Sequence, residues 1–207
     1  MDAALSLASQ PGVAVAAYGD MLRVPGTVRG DDLAHRRARG ADVRMVYSPM
    51  DALEMAAAEP RRQFVFLGVG FETTAPGTAA ALLEAERRGL ENFTVFSMLK
   101  RVQPALRALT ASEGFAVDAF ICPGHVAVIT GADEFTFLPR EYGIPAAVAG
   151  FEPEDILLAI YHLLDMLSSG RAGLVNDYSR AVTAGGNTLA QEAIEKVFTP
   201  RRDTWRG

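Results

Sequence analysis

The sequence predicts an α/β protein: two Rossmann-like lobes with parallel sheets flanked by helices. Three observations lead to this. Short runs rich in Val, Ile and Phe recur along the 207 residues, each followed by Ala, Leu and Glu at helical spacing, the alternation that βα units around a parallel sheet produce. A hydrophobic content of 49% gives a chain of this length enough apolar surface for one large core or two smaller ones. The longest apolar runs, "FVFLGVGF" from Phe64 and "ILLAI" from Ile156, are far shorter than the roughly 18 residues a bilayer-crossing helix needs, so they read as buried strand and helix.

Taken in order, Asp2 to Ser9 reads as the end of a helix and "VAVAAY" (Val13 to Tyr18) as a buried strand that enters the loop "GDMLRVPGT". A helix over Asp31 to Arg39 is closed by Gly40, and "VRMVY" from Val43 is the next strand. Ser48 and Pro49 suit the N-cap and first position of a helix that carries Asp51 to Glu59, because proline is preorganised there and lacks only a donor the helix does not use; Pro60 stops it. "QFVFLGVGF" (Gln63 to Phe71) is the most hydrophobic strand and belongs at the centre of its sheet. A helix from Thr78 to Arg88 follows, with Gly89 beyond its end. The strand "FTVFSM" from Phe93, a helix from Pro104 to Ser112, the strand "AFIC" ending at Cys122, a helical piece over Asp133 to Tyr142 and the strand "AAVAG" from Ala146 continue the pattern.

"EPEDILLAIYHLLDML" is the most strongly periodic helix. Ile156, Ile160, Leu163, Leu164 and Leu167 make an apolar stripe that core packing is expected to absorb, and Pro153, Glu154 and Asp155 fill the first turn, where proline and acidic groups are favoured. The polar stretch "RAGLVNDYSR" interrupts, and "YSRAVT" with a helix from Asn187 to Phe198 makes a last βα-like unit before "TWRG". Boundaries are expected at Pro60 and Gly170: residues 1–60 with 171–207 form a first lobe and 61–170 a second.

Charge and cysteine usage narrow the function. The net charge of −5 is dispersed, and no Lys/Arg stripe interleaved with aromatics is present to follow a phosphate backbone, which argues against a nucleic-acid partner. The opening "MDAALSLASQPG" has Asp2 where a secretory signal needs positive charge, so a cytoplasmic location is expected and no membrane association. A single cysteine, Cys122, cannot form an internal disulfide or build a multi-cysteine metal cluster from this chain alone.

In open parallel sheets ligands bind beyond the carboxyl ends of the strands. Four loops qualify: "YGDMLRVPG", "GVGFETTAPG", "CPGHV" and "AGFEPED". "GVGFETT" begins like a dinucleotide turn, but Thr73 stands where the third glycine belongs and no P-loop lysine follows. A Gly-rich strand end with a threonine N-cap accounts for it equally, leaving Glu72 unexplained. Asp20 and Arg23 are either an acid and a guanidinium facing a ligand or a solvated ion pair that fixes their loop. The three-residue spacing of Cys122 and His125 allows both to face one point, where His⁺ would lower the thiol pKa; two ligands do not close a structural zinc site, and nucleophilic catalysis would need an orienting acid as well. An α/β enzyme that binds a nucleotide through "GVGFETT", with Cys122 or His125 in catalysis, is the alternative function. His35 and His162 are read as a solvated helix face and a helix packing position.

In this order "YGDMLRVPG", "ADVRMVYSPMDALEMA", "GFETTAP", "FICPGHV", "EYGIP" and "AGFEPEDIL" resemble the HypD family of hydrogenase maturation proteins across essentially the whole chain. The resemblance implies two Rossmann-like lobes and a cytoplasmic scaffold. With the small partner HypC, and a HypE-type cyanide donor, that scaffold holds iron while the Fe(CN)2CO centre of [NiFe]-hydrogenase is assembled; it also carries a [4Fe-4S] cluster. The family's "CPVC"-type and cluster cysteines are expected outside this sequence, before its first helix and beyond "WRG", so iron and cluster binding are not carried over and a central segment of the family is expected. "FSMLKRVQPAL" has Leu99 where the family commonly carries a histidine in a segment like "SAHK". By resemblance Asp20, Arg23, Glu72, Thr73, Thr74, Cys122, His125 and Glu152 line the cleft between lobes, with Cys122, His125 and Glu72 nearest its chemistry and the others docking HypC.

Overall fold

The computed structural model describes residues 1–201, so the closing "TWRG" of the expected last unit lies outside the described residues. The chain divides into two compact units. The first comprises Met1–Gly70, Thr74–Leu99 and the chain from Ala193 onward; the second comprises Phe71–Thr73 and Lys100–Glu192.

In the first unit, α1 (Asp2–Ala8) leads to β1 (Val13–Ala17), a 3₁₀ turn (Gly19–Arg23), α2 (Leu33–Ala38) and β2 (Val43–Met45). Then come α3 (Pro49–Ala58), β3 (Gln63–Gly70), α4 (Ala75–Arg88) and β4 (Phe93–Leu99). The four strands are parallel in the order β2-β1-β3-β4, with Val15 opposite both Val43 and Val65. Successive residues of β1 face opposite ways. Ala14 and Ala16 join Phe64, Phe66, Leu53 and Ala81 on the side covered by α3 and α4, while Val15 and Ala17 join Leu5, Leu33 and Leu67 on the side of α1 and α2. Helices on both faces explain why β1 and β3 read as unbroken apolar runs, and β3 is an interior strand as expected. Ser48 is the α3 N-cap in a reciprocal capping box: its hydroxyl accepts from Asp51 N at 3.1 Å, and the Asp51 carboxylate accepts from Ser48 N at 3.0 Å.

The second unit runs through α5 (Val102–Thr110), β5 (Phe120–Pro123), α6 (Gly124–Thr130), a 3₁₀ turn (Ala132–Phe135) and α7 (Phe137–Tyr142). It continues with β6 (Ala146–Ala149), α8 (Pro153–Ser168) and β7 (Leu174–Asn176); the division between units falls within α9 (Thr188–Val197). Its sheet is parallel in the order β5-β6-β7. Cys122 and Val148 pack with Val126, Phe135 and Leu138 on one face, and Ala147 and Ala149 with Ala159 and Leu163 on the other.

Four expectations are corrected. The units do not divide at Pro60 and Gly170: β3 pairs with β1, which places Gln63 onward in the first sheet, and β7 pairs with β6, which places Leu174–Asn176 in the second. Pro60 ends a helix without ending a unit, because a fully apolar strand needs a neighbour on each side. The last strand is "LVN", not "YSRAVT"; Tyr178 and Val182 instead pack into the core from a turn. A helix, α6, begins at Gly124, where a loop was expected. The α8 stripe is not absorbed by the core: Leu163 is buried and Ile156 partly so, but Ile160, Leu164 and Leu167 are exposed. Among the described residues no helix is long and apolar enough to cross a membrane.

Candidate functional site

The parallel strands of the second unit point their carboxyl ends the same way, which gathers the turns after Pro123, Ala149 and Asn176 along one edge. The last of these is fixed by its backbone and by Asn176. Asp177 N donates to Val148 O at 2.9 Å, Asn176 Oδ1 accepts from Tyr178 N at 3.1 Å, and Asn176 Nδ2 donates to Val182 O at 2.8 Å. Tyr178 is thereby held against two glycines. A Cβ on Gly124 would overlap the Ala149 carbonyl and come within 2.7 Å of the Tyr178 ring; one on Gly150 would overlap the Asp155 carboxylate and lie 2.7 Å from that ring.

Around Tyr178 an ion cluster is built. Arg180 grips Asp155 in a bidentate pair, Nη1 to Oδ1 and Nη2 to Oδ2 both at 2.6 Å, donates from Nη2 to Glu152 Oε2 at 2.8 Å, and lies over the Tyr178 ring at 4.5 Å. Asp155 sits in the first turn of α8 and its residue is buried. Hydrogen bonds from Arg180 hold its carboxyl at about 2, below the usual 3.8, and the Asp155 carboxylate raises the Arg180 guanidinium in return. A depressed folded-state value means that this pair's stability is complete above the unfolded value and is lost as pH falls through the folded one. Acid unfolding followed by circular dichroism is therefore expected to have a component between about pH 4 and 2, and Arg180→Met to remove that component.

His125, the second residue of α6, is exposed and packs edge-on against exposed Phe151 with ring centres 4.7 Å apart, and 6.1 Å from Tyr178. Cys122 is not placed with it. The thiol faces the core from β5 at 1% exposure, and burial pushes it up to about 12, the reverse of the activation that a neighbouring imidazolium would give. A thiol reagent at pH 8 is expected to leave the native protein unmodified and to titrate one thiol after unfolding; fast labelling of the native chain would contradict the burial.

Of the remaining candidates, Glu72 is also buried in the second unit. Its Oε1 accepts from Val102 N, the first residue of α5, at 2.9 Å, while Oε2 is enclosed without a partner among the described residues, and burial raises its pKa. Thr73 is exposed. In the first unit the Thr74 hydroxyl donates to Val69 O at 3.3 Å, and Gly70, at φ +135°, leaves the space that this side chain fills. The glycine at the end of "GVG" thus has a local cause. Asp20 and Arg23 occupy the exposed 3₁₀ turn after β1 and form no ion pair with each other among the described residues. His162 Nδ1 lies 2.9 Å from Asp177 Oδ1. An open groove of about 360 Å³ in the second unit, lined by Gln103, Arg107, Asp133, Glu134 and Arg140, includes none of these candidates.

Asp155, Phe151, Tyr178 and Arg180 were not singled out as site residues in the sequence. Arg180 stands 25 residues from Asp155, and that separation gives no local signal. The donor set does not fit a [4Fe-4S] cluster: four thiolates are usual and this sequence has one cysteine, buried among apolar side chains. Among the described residues no three His, Cys, Asp or Glu side chains are grouped to hold a metal ion.

Parallel sheets with polar groups braced at their carboxyl ends define a Rossmann-like α/β protein that presents a preformed strand-end surface. A family model, HypD, described as "Hydrogenase formation hypA family", matches residues 1–207. The hydrogenase maturation factor HypD of Azotobacter vinelandii is 44% identical over 213 residues, covering 100% of this chain and 56% of the relative. Those of Rhodobacter capsulatus and Escherichia coli K12 are 43% and 42% identical over 208 residues, covering 100% of this chain and 55% of each relative. The chain belongs to the HypD family. It spans about half the length of the curated relatives it matches.

Proposed function

We propose that this chain forms part of a HypD-type scaffold on which the Fe(CN)2CO centre of [NiFe]-hydrogenase is assembled, and that the strand-end surface of its second unit docks a HypC-type partner. The observation that carries the reading is the exposed His125–Phe151 pair, backed by Tyr178 and by an Arg180 whose charge is already committed to Asp155 and Glu152. An exposed aromatic pair on a rigid support is the kind of anchor that dominates protein interfaces. In this reading Glu152 and His125 form the polar rim. Thr73 adds recognition from its strand-end turn in the same unit, and Glu72 supplies a buried acid there. Iron and any iron–sulfur cluster are held by thiolates other than Cys122, and a HypE-type donor delivers the cyanide ligands.

Calorimetry of the chain with a HypC-type protein tests this. Phe151→Ala is expected to weaken binding about tenfold or more with the circular dichroism spectrum unchanged, since Phe151 is exposed. Tight binding of a nucleotide with no HypC association would overturn the proposal in favour of an α/β enzyme.

A further inference from the structure

We infer that His162 is a positioning residue for the strand-end surface of the second unit: from α8 it holds the buried carboxylate of Asp177, and through it the turn that carries Tyr178 and Arg180. His162 shares with Ala159, Leu163 and Met166 the stripe of α8 that turns toward the sheet, at the three- and four-residue spacing of one helix face. Asp177 is the first residue after β7. His162 Nδ1 lies 2.9 Å from Asp177 Oδ1 and 3.1 Å from Oδ2. The Asp177 side chain is 4% exposed, and among the described residues its carboxylate has no other hydrogen-bonding partner. A carboxylate accepts and does not donate, which assigns the proton of the neutral ring to Nδ1. Deprived of that donor, a buried carboxylate has no water to turn to, so the loss exceeds that of an ordinary hydrogen bond.

The place of Asp177 in the chain gives this contact its reach. Its N–H donates to Val148 O at 2.9 Å, and the N–H of Tyr178 donates to Asn176 Oδ1 at 3.1 Å, so the sheet anchors the backbone of the turn. Helix α8 grips the same turn at two points. Asp155 in its first turn pairs with Arg180, and His162, about two turns further on, pairs with Asp177. Tyr178 stands between the two gripped residues in sequence. Its ring lies beneath Arg180 at 4.5 Å and 6.1 Å from His125, and Gly124 and Gly150 leave it no slack on the side of the sheet. A shift of Asp177 is therefore passed to the ring and from there to the exposed His125–Phe151 pair. The inference rests on the reading of that pair as a partner-docking anchor; the hold on Asp177 does not.

Amide hydrogen exchange, and calorimetry with a HypC-type protein, run on the same variants of the whole chain, test this. His162→Leu is expected to speed exchange at the Asp177 and Tyr178 amides about tenfold and to weaken binding about three- to tenfold, with the circular dichroism spectrum unchanged. His162→Asn is expected to restore both to within about twofold, because the asparagine Nδ2 stands at the bond position of the imidazole Nδ1. His162→Gln, whose amide nitrogen matches Nε2 instead, is expected to restore neither. Glutamine is the better helix former of the two, so a role confined to the stability of α8 would order these variants the other way. A long-range proton–nitrogen NMR spectrum of the neutral ring is expected to show the proton on Nδ1. Unchanged exchange in His162→Leu, recovery by Gln and not by Asn, or a neutral ring protonated on Nε2 would each overturn the role of His162. Faster exchange with unaltered binding would overturn its link to the surface. Exchange that follows the expected order in a chain that binds no HypC-type protein would leave the hold on Asp177 standing and overturn the docking reading alone.

Discussion

Replacing Phe66 by alanine is expected to destabilise the first unit by about 3–5 kcal/mol, the range for deleting a fully buried aromatic side chain. Phe66 is inaccessible to solvent on the interior strand β3, hydrogen-bonded in register with Ala16 on one side and Val95 on the other. It packs among Phe64, Leu53, Ala52 and Ala81, and Tyr18 meets its ring edge-on at 5.4 Å. Helices α3 and α4 close over this face, so the void cannot fill with water and its lining loses dispersion contacts outright. Phe66→Leu keeps most of the volume and is expected to cost less than about 1.5 kcal/mol. Urea unfolding of the two variants checks the pair, and equal costs would contradict a close-packed site at this position.

The second large effect is expected from Gly124→Ala, at about 2–3 kcal/mol for overpacking. A methyl group there has nowhere to go. It would overlap the carbonyl oxygen of Ala149, which is part of the β5–β6 ladder, and crowd the Tyr178 ring. The ring can tilt, whereas the carbonyl is fixed by its sheet, so β5 and β6 must separate at their carboxyl ends. Because Tyr178 supports His125 and Arg180, the substitution is expected to weaken the proposed HypC-type binding beyond its cost in stability. Adding Tyr178→Ala is expected to relieve only the ring contact. A thermally neutral Gly124→Ala would mean that α6 does not start as close to β6 as the structure places it.

How much of this the sequence disclosed depended on whether the signal was local. The capping residues of α3, the interior position of β3 and the extent of α8 follow from patterns within a dozen residues, and those hold. β7 is only three residues long, too short to show alternation, and its place in the second sheet comes from pairing with a strand nearly thirty residues earlier. Cys122 and His125 illustrate the limit at the site. Their spacing suggested a shared focus, but the chain passes from strand to helix between them. The strand turns Cys122 into the core, while the first turn of α6 carries His125 to the surface. Arg180 read as one more charge in a polar stretch; its importance comes from a buried Asp155 that only the folded chain brings to it.

The burial of Cys122 gives the protein a reporter for one of its halves. It is the single thiol in the sequence and belongs to the second unit's core. Its labelling rate in native buffer therefore measures how often that unit opens, without any added probe. Compared with loss of the Tyr18–Phe66 packing in the first unit, that rate distinguishes one cooperative molecule from two units that open independently.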